Sequence, residues 1–254
     1  MNPYRRDGRP HAIILAAGRG ERLRPITDQI PKPLVQVAGH PLIAYGLGLL
    51  REAGIEDVVI NVHHLADKMR EALGDGSDFG VRIHYSVEET LLDSGGGIRQ
   101  AATLLEPPVD GPIVVLNADL ISEIPLRSVI DFHLENDALL TLVLRDDPKK
   151  FEYGTFGIDD DGRIQRFLGA GAPAGLPEYM FGSVQVLSPD VLGRMPEGAF
   201  GSMRGLYPEL FAEGARFFGY RYEGPWNTGD TQEDLEQAET ALRERGLPHC
   251  MRSA

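Results

Sequence analysis

Short apolar runs alternate along the chain with longer stretches whose apolar residues recur at helical spacing. Ala12–Ala17, Asp57–Val62, Pro112–Leu116 and Leu139–Arg145 read as buried strands, and Val81–Tyr85 alternates like a half-buried one. Between them, Pro41–Ala53 carries Leu42, Ile43, Leu47, Leu49 and Leu50 and predicts a helix stopped by Gly54. Leu65–Leu73, Ile98–Leu105 and Arg127–Glu135 predict three more. Such alternation implies right-handed βαβ units. The expected class is therefore α/β, a mostly parallel sheet with helices on both faces. Ligands bind such sheets beyond the carboxyl ends of the strands. Gly18, Gly95 and Asp119 each fall just after a strand on this reading.

The texture changes after Asp146. Tyr153–Ile158, Arg163–Leu168 and Met180–Leu187 predict short strands, with a hairpin turn at Asp159-Asp160-Asp161-Gly162 and a Gly/Ala/Pro loop over Gly169–Pro177. Gly205–Phe211 and Glu233–Arg243 predict helices around one further strand, Arg216–Tyr222. Asp230 and Glu233 have the spacing of a capping box for the last helix. No internal repeat or long linker separates the halves, so the second is expected to be a smaller subdomain on the same sheet.

A chain of 254 residues with 42% hydrophobic content has ample material for one large core. The net charge of −13 argues against nucleic acid and anionic membranes as partners. An anionic ligand would need local cations or a metal. The single cysteine, Cys250, permits no disulfide within the chain and reads as an incidental tail thiol. The first eleven residues are polar and lack the apolar core of a secretory signal, and no run reaches transmembrane length. A cytoplasmic protein is expected.

The candidate chemistry starts where the first strand ends. Ala16-Ala17-Gly18-Arg19-Gly20 is followed by Arg22, Arg24 and Pro31-Lys32-Pro33. Glycines let backbone N–H groups approach a ligand closely, and arginines beside such a nest bind phosphate oxygens through a planar fork. Lys32 is a cation on a loop stiffened by two prolines. A dinucleotide fingerprint would need a third glycine where Leu23 stands, and a P-loop would need Gly-Lys-Ser/Thr where Leu23-Arg24-Pro25 stands. Farther on, Ser94-Gly95-Gly96-Gly97 opens a helix, and Asn117-Ala118-Asp119 follows a strand. His63 and His64 point to opposite sides of a strand end and read as structural.

Gly-x-Gly-x-Arg-Leu-x-Pro-x-Thr followed by Pro-Lys-Pro resembles the signature of the sugar-phosphate nucleotidyltransferases, also called NDP-sugar pyrophosphorylases, and the likeness runs from about Ala12 to about Leu242. The resemblance implies a Rossmann-like fold with a sugar-covering subdomain. It divides the chain into an extension (1–11), a nucleotide-binding part (about 12–146), a sugar-binding part (about 147–246) and a tail (247–254). It implies transfer of a nucleoside monophosphate from an NTP to a sugar 1-phosphate, with Mg²⁺ as cofactor, by a monomer or small homo-oligomer. Arg22, Lys32 and Asp119 are the implied catalytic residues. Ala16, Ala17, Gly18, Arg19, Gly20, Gly95, Gly96 and Asn117 are implied at the nucleotide, with the glycines along the base. Gly154 and Gly182 are implied at the sugar, with the Gly154 N–H offered to a hydroxyl. Asp119 is implied at the metal.

Two departures stand out. Trp226-Asn227-Thr228-Gly229 aligns with a family segment in which Asp ligates the metal, so Asn227 takes that place, with Asp230 a substitute that the capping pattern claims. Arg166-Phe167-Leu168 stands where many relatives have Glu-Lys-Pro. Short members acting on N-acetylmuramic acid 1-phosphate share that second departure and the short length, which implies uridylyl transfer ahead of guanylyl or thymidylyl transfer. Asn227 also leaves room for a non-catalytic nucleotide- or sugar-binding homologue.

Overall fold

A computed structural model describes residues 8–171 and 175–251. Most of the N-terminal extension, the middle of the Gly/Ala/Pro loop and the last three residues of the tail lie outside it. The first half builds strands β1 (His11–Leu15), β2 (Asp57–Val62), β3 (Arg82–Val87) and β4 (Ile113–Asn117). They pair in parallel in the order β3-β2-β1-β4, with Ala12 held between Val58 and Val114. A short strand β5 (Leu120–Ser122) comes next, then β6 (Leu140–Arg145). The second half adds β7 (Phe156–Ile158), β8 (Ile164–Phe167), β9 (Glu178–Leu187), β10 (Phe217–Arg221) and β11 (Trp226–Thr228). β9 runs antiparallel between β4 and β6, and β10 extends the sheet in parallel beyond β6. The two halves of the sequence thus share one sheet. The N-terminal end of β9 pairs with β7, which carries β8, forming a branch.

Alternation along the strands decides which helix covers which face. Ala12, Ile14, Val58 and Ile60 point to one side, under α1 (Leu42–Glu52), α2 (Ala66–Leu73) and α4 (Leu126–Glu135). Ile13, Val59 and Val115 point to the other, under α3 (Asp93–Ala102) and α6 (Tyr207–Ala212). Fully burying each such valine or isoleucine side chain stabilises the fold by about 1.5–3 kcal/mol. The expected α/β class with helices on both faces is what forms.

Several local expectations are corrected. Residues Lys150–Tyr153 form a short helix, α5, and not the start of a strand. Asp147 accepts the Lys149 N–H at 2.9 Å, which starts the turn, and Gly154 at φ 109° ends it. The last helix, α7 (Gln232–Arg245), is capped by Thr231 and Asp234, not by Asp230 and Glu233. Gly95 is the third residue of α3 and does not sit just after a strand. Cys250 is buried beside α1, where its carbonyl accepts from Arg51 Nη2 at 2.7 Å. It is part of the core, not an incidental tail thiol.

Candidate active site

β1 and β4 end side by side, and the loops that leave them meet at the same edge of the sheet. Ala16, Ala17 and Gly18 leave β1 and line a cavity of about 570 Å³, with Asn61, Asp93, Ser94, Asn117 and Asp119 on its other walls. Gly20 sits at φ 63°, a conformation natural to glycine. Its carbonyl accepts from Thr27 Oγ1 at 2.8 Å, which folds the loop back on itself. Gly20 and Arg19 lie beside this cavity and not on its wall.

Lys32 opens a tight turn, Lys32–Leu34, and is largely buried. Its ammonium donates to Asp119 and, at 2.5 Å, to Asp230. Arg22 reaches the same Asp230 carboxylate at 2.7 Å. Residues far apart in sequence thus converge on one ion cluster. Burial alone would push the Lys32 pKa down, but the two carboxylates outweigh it and hold the pKa above its ordinary value. Burial dominates at Asp119 and raises its pKa, although Lys32 opposes this. At Asp230 burial is overcome by Lys32 and Arg22, and the carboxyl stays below its usual range.

The carboxylate that joins Asp119 through Lys32 is therefore Asp230, not Asn227. With capping delegated to Thr231 and Asp234, Asp230 is free to turn toward Asp119. Asn227 sits in the β5–β11 ladder, opposite Ile121.

A second cavity, about 530 Å³, opens on the far side of the cluster and shares Asn117 and Asp230 with the first. Asn227, Gly154, Phe181 and Ser183 line it. Gly154 is thus on the wall, but its N–H donates to Lys150 O at 2.9 Å and closes α5. Gly182 lies behind Phe181 and Ser183, and its carbonyl accepts the Trp226 indole N–H at 3.1 Å. Trp226 in turn supports Arg145, whose guanidinium lies 4.5 Å from the ring centroid and pairs with Asp147 at 3.2 Å. Arg145, Lys149 and Arg204 bring three cations to this wall, where Asp147, Asp230 and Asp234 balance them. None of them stands out in the sequence, because Arg145 ends β6 and Lys149 follows it in the loop, while Arg204 comes from the distant Ser202–Leu206 turn.

Gly95 and Gly96 are not on the wall of the first cavity. Both donate their N–H groups to Phe200 O, at 2.9 and 3.2 Å. A Cβ at Gly95 would lie 2.1 Å from the Phe200 ring, and one at Gly96 2.5 Å from Gly198 O. The space left by their missing side chains is filled by protein, which corrects the expectation that they run along a base. Ser94 stays on the wall and accepts the Ser202 N–H at 2.9 Å. Ser202 begins a π-helical turn, Ser202–Leu206, that carries Met203 and Arg204 to the second cavity. His63 and His64 bond the carbonyls of Glu88 and Thr27, at 2.8 and 3.0 Å, in keeping with a structural role.

A family model described as nucleotidyl transferase matches residues 11–169, from the start of β1 to just past β8. The chain belongs to the nucleotidyl transferase family. An N-acetylmuramate alpha-1-phosphate uridylyltransferase of Neisseria meningitidis serogroup B is 36% identical over 233 residues, covering 90% of this chain and 96% of that protein. A mannose-1-phosphate guanylyltransferase of Mycobacterium tuberculosis is 33% identical over 91% of this chain, and a UTP–glucose-1-phosphate uridylyltransferase of Synechocystis is 32% identical over 85%. The chain spans only 64% and 58% of those two longer relatives. In structure, this nucleotidyl transferase resembles a putative glucose-1-phosphate thymidylyltransferase from Bacillus anthracis, with a TM-score of 0.80 at 20% identity, covering 95% of this chain and 98% of the other. HddC from Yersinia pseudotuberculosis, complexed with GMP-PN, gives a TM-score of 0.75 at 21% identity over 91% and 99% of the two chains.

Proposed function

We propose that this protein transfers a nucleoside monophosphate from an NTP to a sugar 1-phosphate and releases pyrophosphate. The observation that carries the reading is the Lys32–Asp119–Asp230–Arg22 cluster, whose Asp230 lines both cavities. The cavity beside Ala16–Gly18 takes the nucleotide, and the cavity beside Trp226 takes the sugar. An oxygen of the sugar phosphate attacks the α-phosphorus in line, the new P–O bond forms, and the bond to the pyrophosphate breaks. Little covalent work falls to the protein, so positioning and charge neutralisation dominate. Lys32 meets the α-phosphate or the sugar phosphate, and Arg22, more exposed and able to swing, meets the leaving pyrophosphate.

Asp119 and Asp230 fit Mg²⁺. That ion takes few carboxylates and completes its shell with water and substrate phosphate oxygens. The described residues offer this pair and no cluster of three or more His, Cys, Asp or Glu groups arranged for a metal. Asp119 and Asp230 would hold the ion, whose charge, when bound, offsets that of the triphosphate. Asp230 supports turnover over the binding-protein alternative, since it supplies the carboxylate that Asn227 lacks.

Uridylyl transfer is favoured, because the relative matched over 96% of its own length is named for it. A soluble, cytoplasmic enzyme fits this reading; among the described residues no helix is long and apolar enough to cross a membrane. The test is a panel of NTPs against several sugar 1-phosphates with pyrophosphate release as readout. Release above the single-substrate background, greatest with UTP, is expected. No release with any pair would sink the reading.

A further inference from the structure

The two walls of the nucleotide cavity are joined by a buried polar relay. Asn61, near the end of β2, is 3% exposed, and Glu88, just past β3, is 2% exposed. Asn61 Oδ1 accepts the Ala16 N–H at 2.7 Å, and Asn61 Nδ2 donates to Glu88 Oε1 at 2.7 Å. Glu88 Oε2 then accepts the Leu92 N–H at 2.9 Å. The relay thus runs from the first residue after β1 to the residue that precedes α3. Ala16 and Asn61 line the cavity on one side, and Asp93 and Ser94, next after Leu92, on the other.

The partners fix the chemistry of every link. A backbone N–H can only donate and a carboxylate here accepts, so the middle side chain must present one acceptor and one donor. At this length only asparagine does both. The amide orientation is dictated by its neighbours and not by choice. Gly97 closes the relay from above, since a Cβ there would lie 2.6 Å from Asn61 Nδ2 and 2.8 Å from Glu88 Oε1. Buried networks of this kind hold their ends rigidly when every member is satisfied.

We propose that Asn61 and Glu88 are positioning residues of the nucleotide site. They set the separation between the Ala16–Gly18 loop and the Asp93–Ser94 turn, and so the width offered to the nucleoside triphosphate. Neither touches the reacting atoms. This rests on the assignment of that cavity to the nucleotide.

The test uses three variants of the full chain. Asn61→Asp turns the central donor into an acceptor facing Glu88, and Glu88→Gln leaves one of its two incoming N–H groups without an acceptor. Each should raise KM for the NTP roughly tenfold, the size of one broken buried hydrogen bond. KM for the sugar 1-phosphate and kcat at saturating NTP should stay within about twofold, since the relay reaches neither the second cavity nor the ion cluster. The double variant Asn61→Asp/Glu88→Gln reverses the central hydrogen bond while keeping both ends satisfied, and should recover the parent KM to within about threefold. Direct titration of each protein with UTP and GTP, in the presence of Mg²⁺, accompanies the kinetics. Singles that bind nucleotide like the parent, or a double no better than the singles, would overturn the proposal. So would an equal rise in both KM values. A parent that binds no triphosphate would overturn the cavity assignment itself, and the relay with it. Should a single variant fail to fold, the double variant decides alone: parent-like KM supports the relay, and a tenfold rise refutes it.

Discussion

At the residue scale the ion cluster separates two neighbours that the sequence alone confounds. Asp230 pairs with Lys32 and Arg22, whereas Asn227 looks into the second cavity. Asp230→Asn should therefore lower kcat/KM by roughly 100-fold or more, as expected when a carboxylate that would hold the charge-neutralising Mg²⁺ is lost, an effect worth about 2–4 kcal/mol. It should also shift the Mg²⁺ titration of activity to higher concentration. Asn227→Asp should leave that titration where it is. A shift caused by Asn227→Asp and none by Asp230→Asn would reverse the assignment. A second residue-level consequence concerns acid stability. His133 is buried on α4 against Thr141, with Nδ1 2.9 Å from the hydroxyl, and burial pushes its pKa down to about 4. The unfolded chain takes up the proton near pH 6.5 and the folded chain only near 4. Stability from this group is whole above pH 6.5 and is lost as pH falls toward 4, about 2 kcal/mol of it by pH 5. Urea midpoints of the parent and of His133→Gln, measured from about pH 7.5 to about pH 5, should converge as pH falls. Parallel profiles would mean that His133 is not the titrating group.

At the element scale, α3 carries three successive glycines, Gly95 to Gly97, where helix propensity would ask for alanine. Propensity alone predicts that Gly95→Ala stabilises by about 1 kcal/mol. The Phe200 ring, 2.1 Å from the new methyl, predicts the opposite, a loss of roughly 1–3 kcal/mol from overpacking. Gly46 in α1 is the control, since a Cβ there meets only Ile14 and Leu116 methyls at 3.9 Å. Gly46→Ala should raise the urea midpoint and Gly95→Ala should lower it; equal signs would refute the packing account. The same contrast shows what is legible in the sequence. β2 can be read to the residue, because Asp57–Val62 is a dense apolar run bounded by a turn. α5 cannot, because Tyr153 and Phe156 look strand-forming while Asp147 and Gly154 impose a helical turn between them. Lys32 and Asp119 are legible through an ordered likeness to a family. Asp230 is not, because Asp-Thr before a helix reads locally as a cap, and only the fold shows that Thr231 takes that duty.

At the scale of the whole molecule, the net charge of −13 leaves the local cations Lys32 and Arg22 dependent on placement, and the fold supplies it by bringing their loop against Asp119 and Asp230. Stability for that arrangement comes from the opposite end of the chain as well. After α7 the chain turns back, and His249–Met251 forms a short turn against α1. Cys250 joins the core on that face, and Leu247 and Met251 pack beside it. Arg51 donates to Cys250 O at 2.7 Å, and His249 lies 3.0 Å from Glu52. A Cβ on Gly48 would meet Cys250 O at 3.1 Å, so α1 carries glycine where the tail crosses it. None of these tail residues lines either cavity. Truncation after Gly246 should therefore separate stability from activity. Losing a buried thiol, two partly buried apolar side chains and a charge-assisted hydrogen bond should cost roughly 2–4 kcal/mol. For a chain of this size that lowers Tm by roughly 5–10 °C. At about 25 °C, well below the new transition, kcat/KM for both substrates should remain within about twofold of the parent. Calorimetry and pyrophosphate-release kinetics on the truncated protein check the two halves separately. An unchanged Tm would show that the turn is not part of the core, and a large loss of activity without a loss of stability would tie the tail to the substrate cavities.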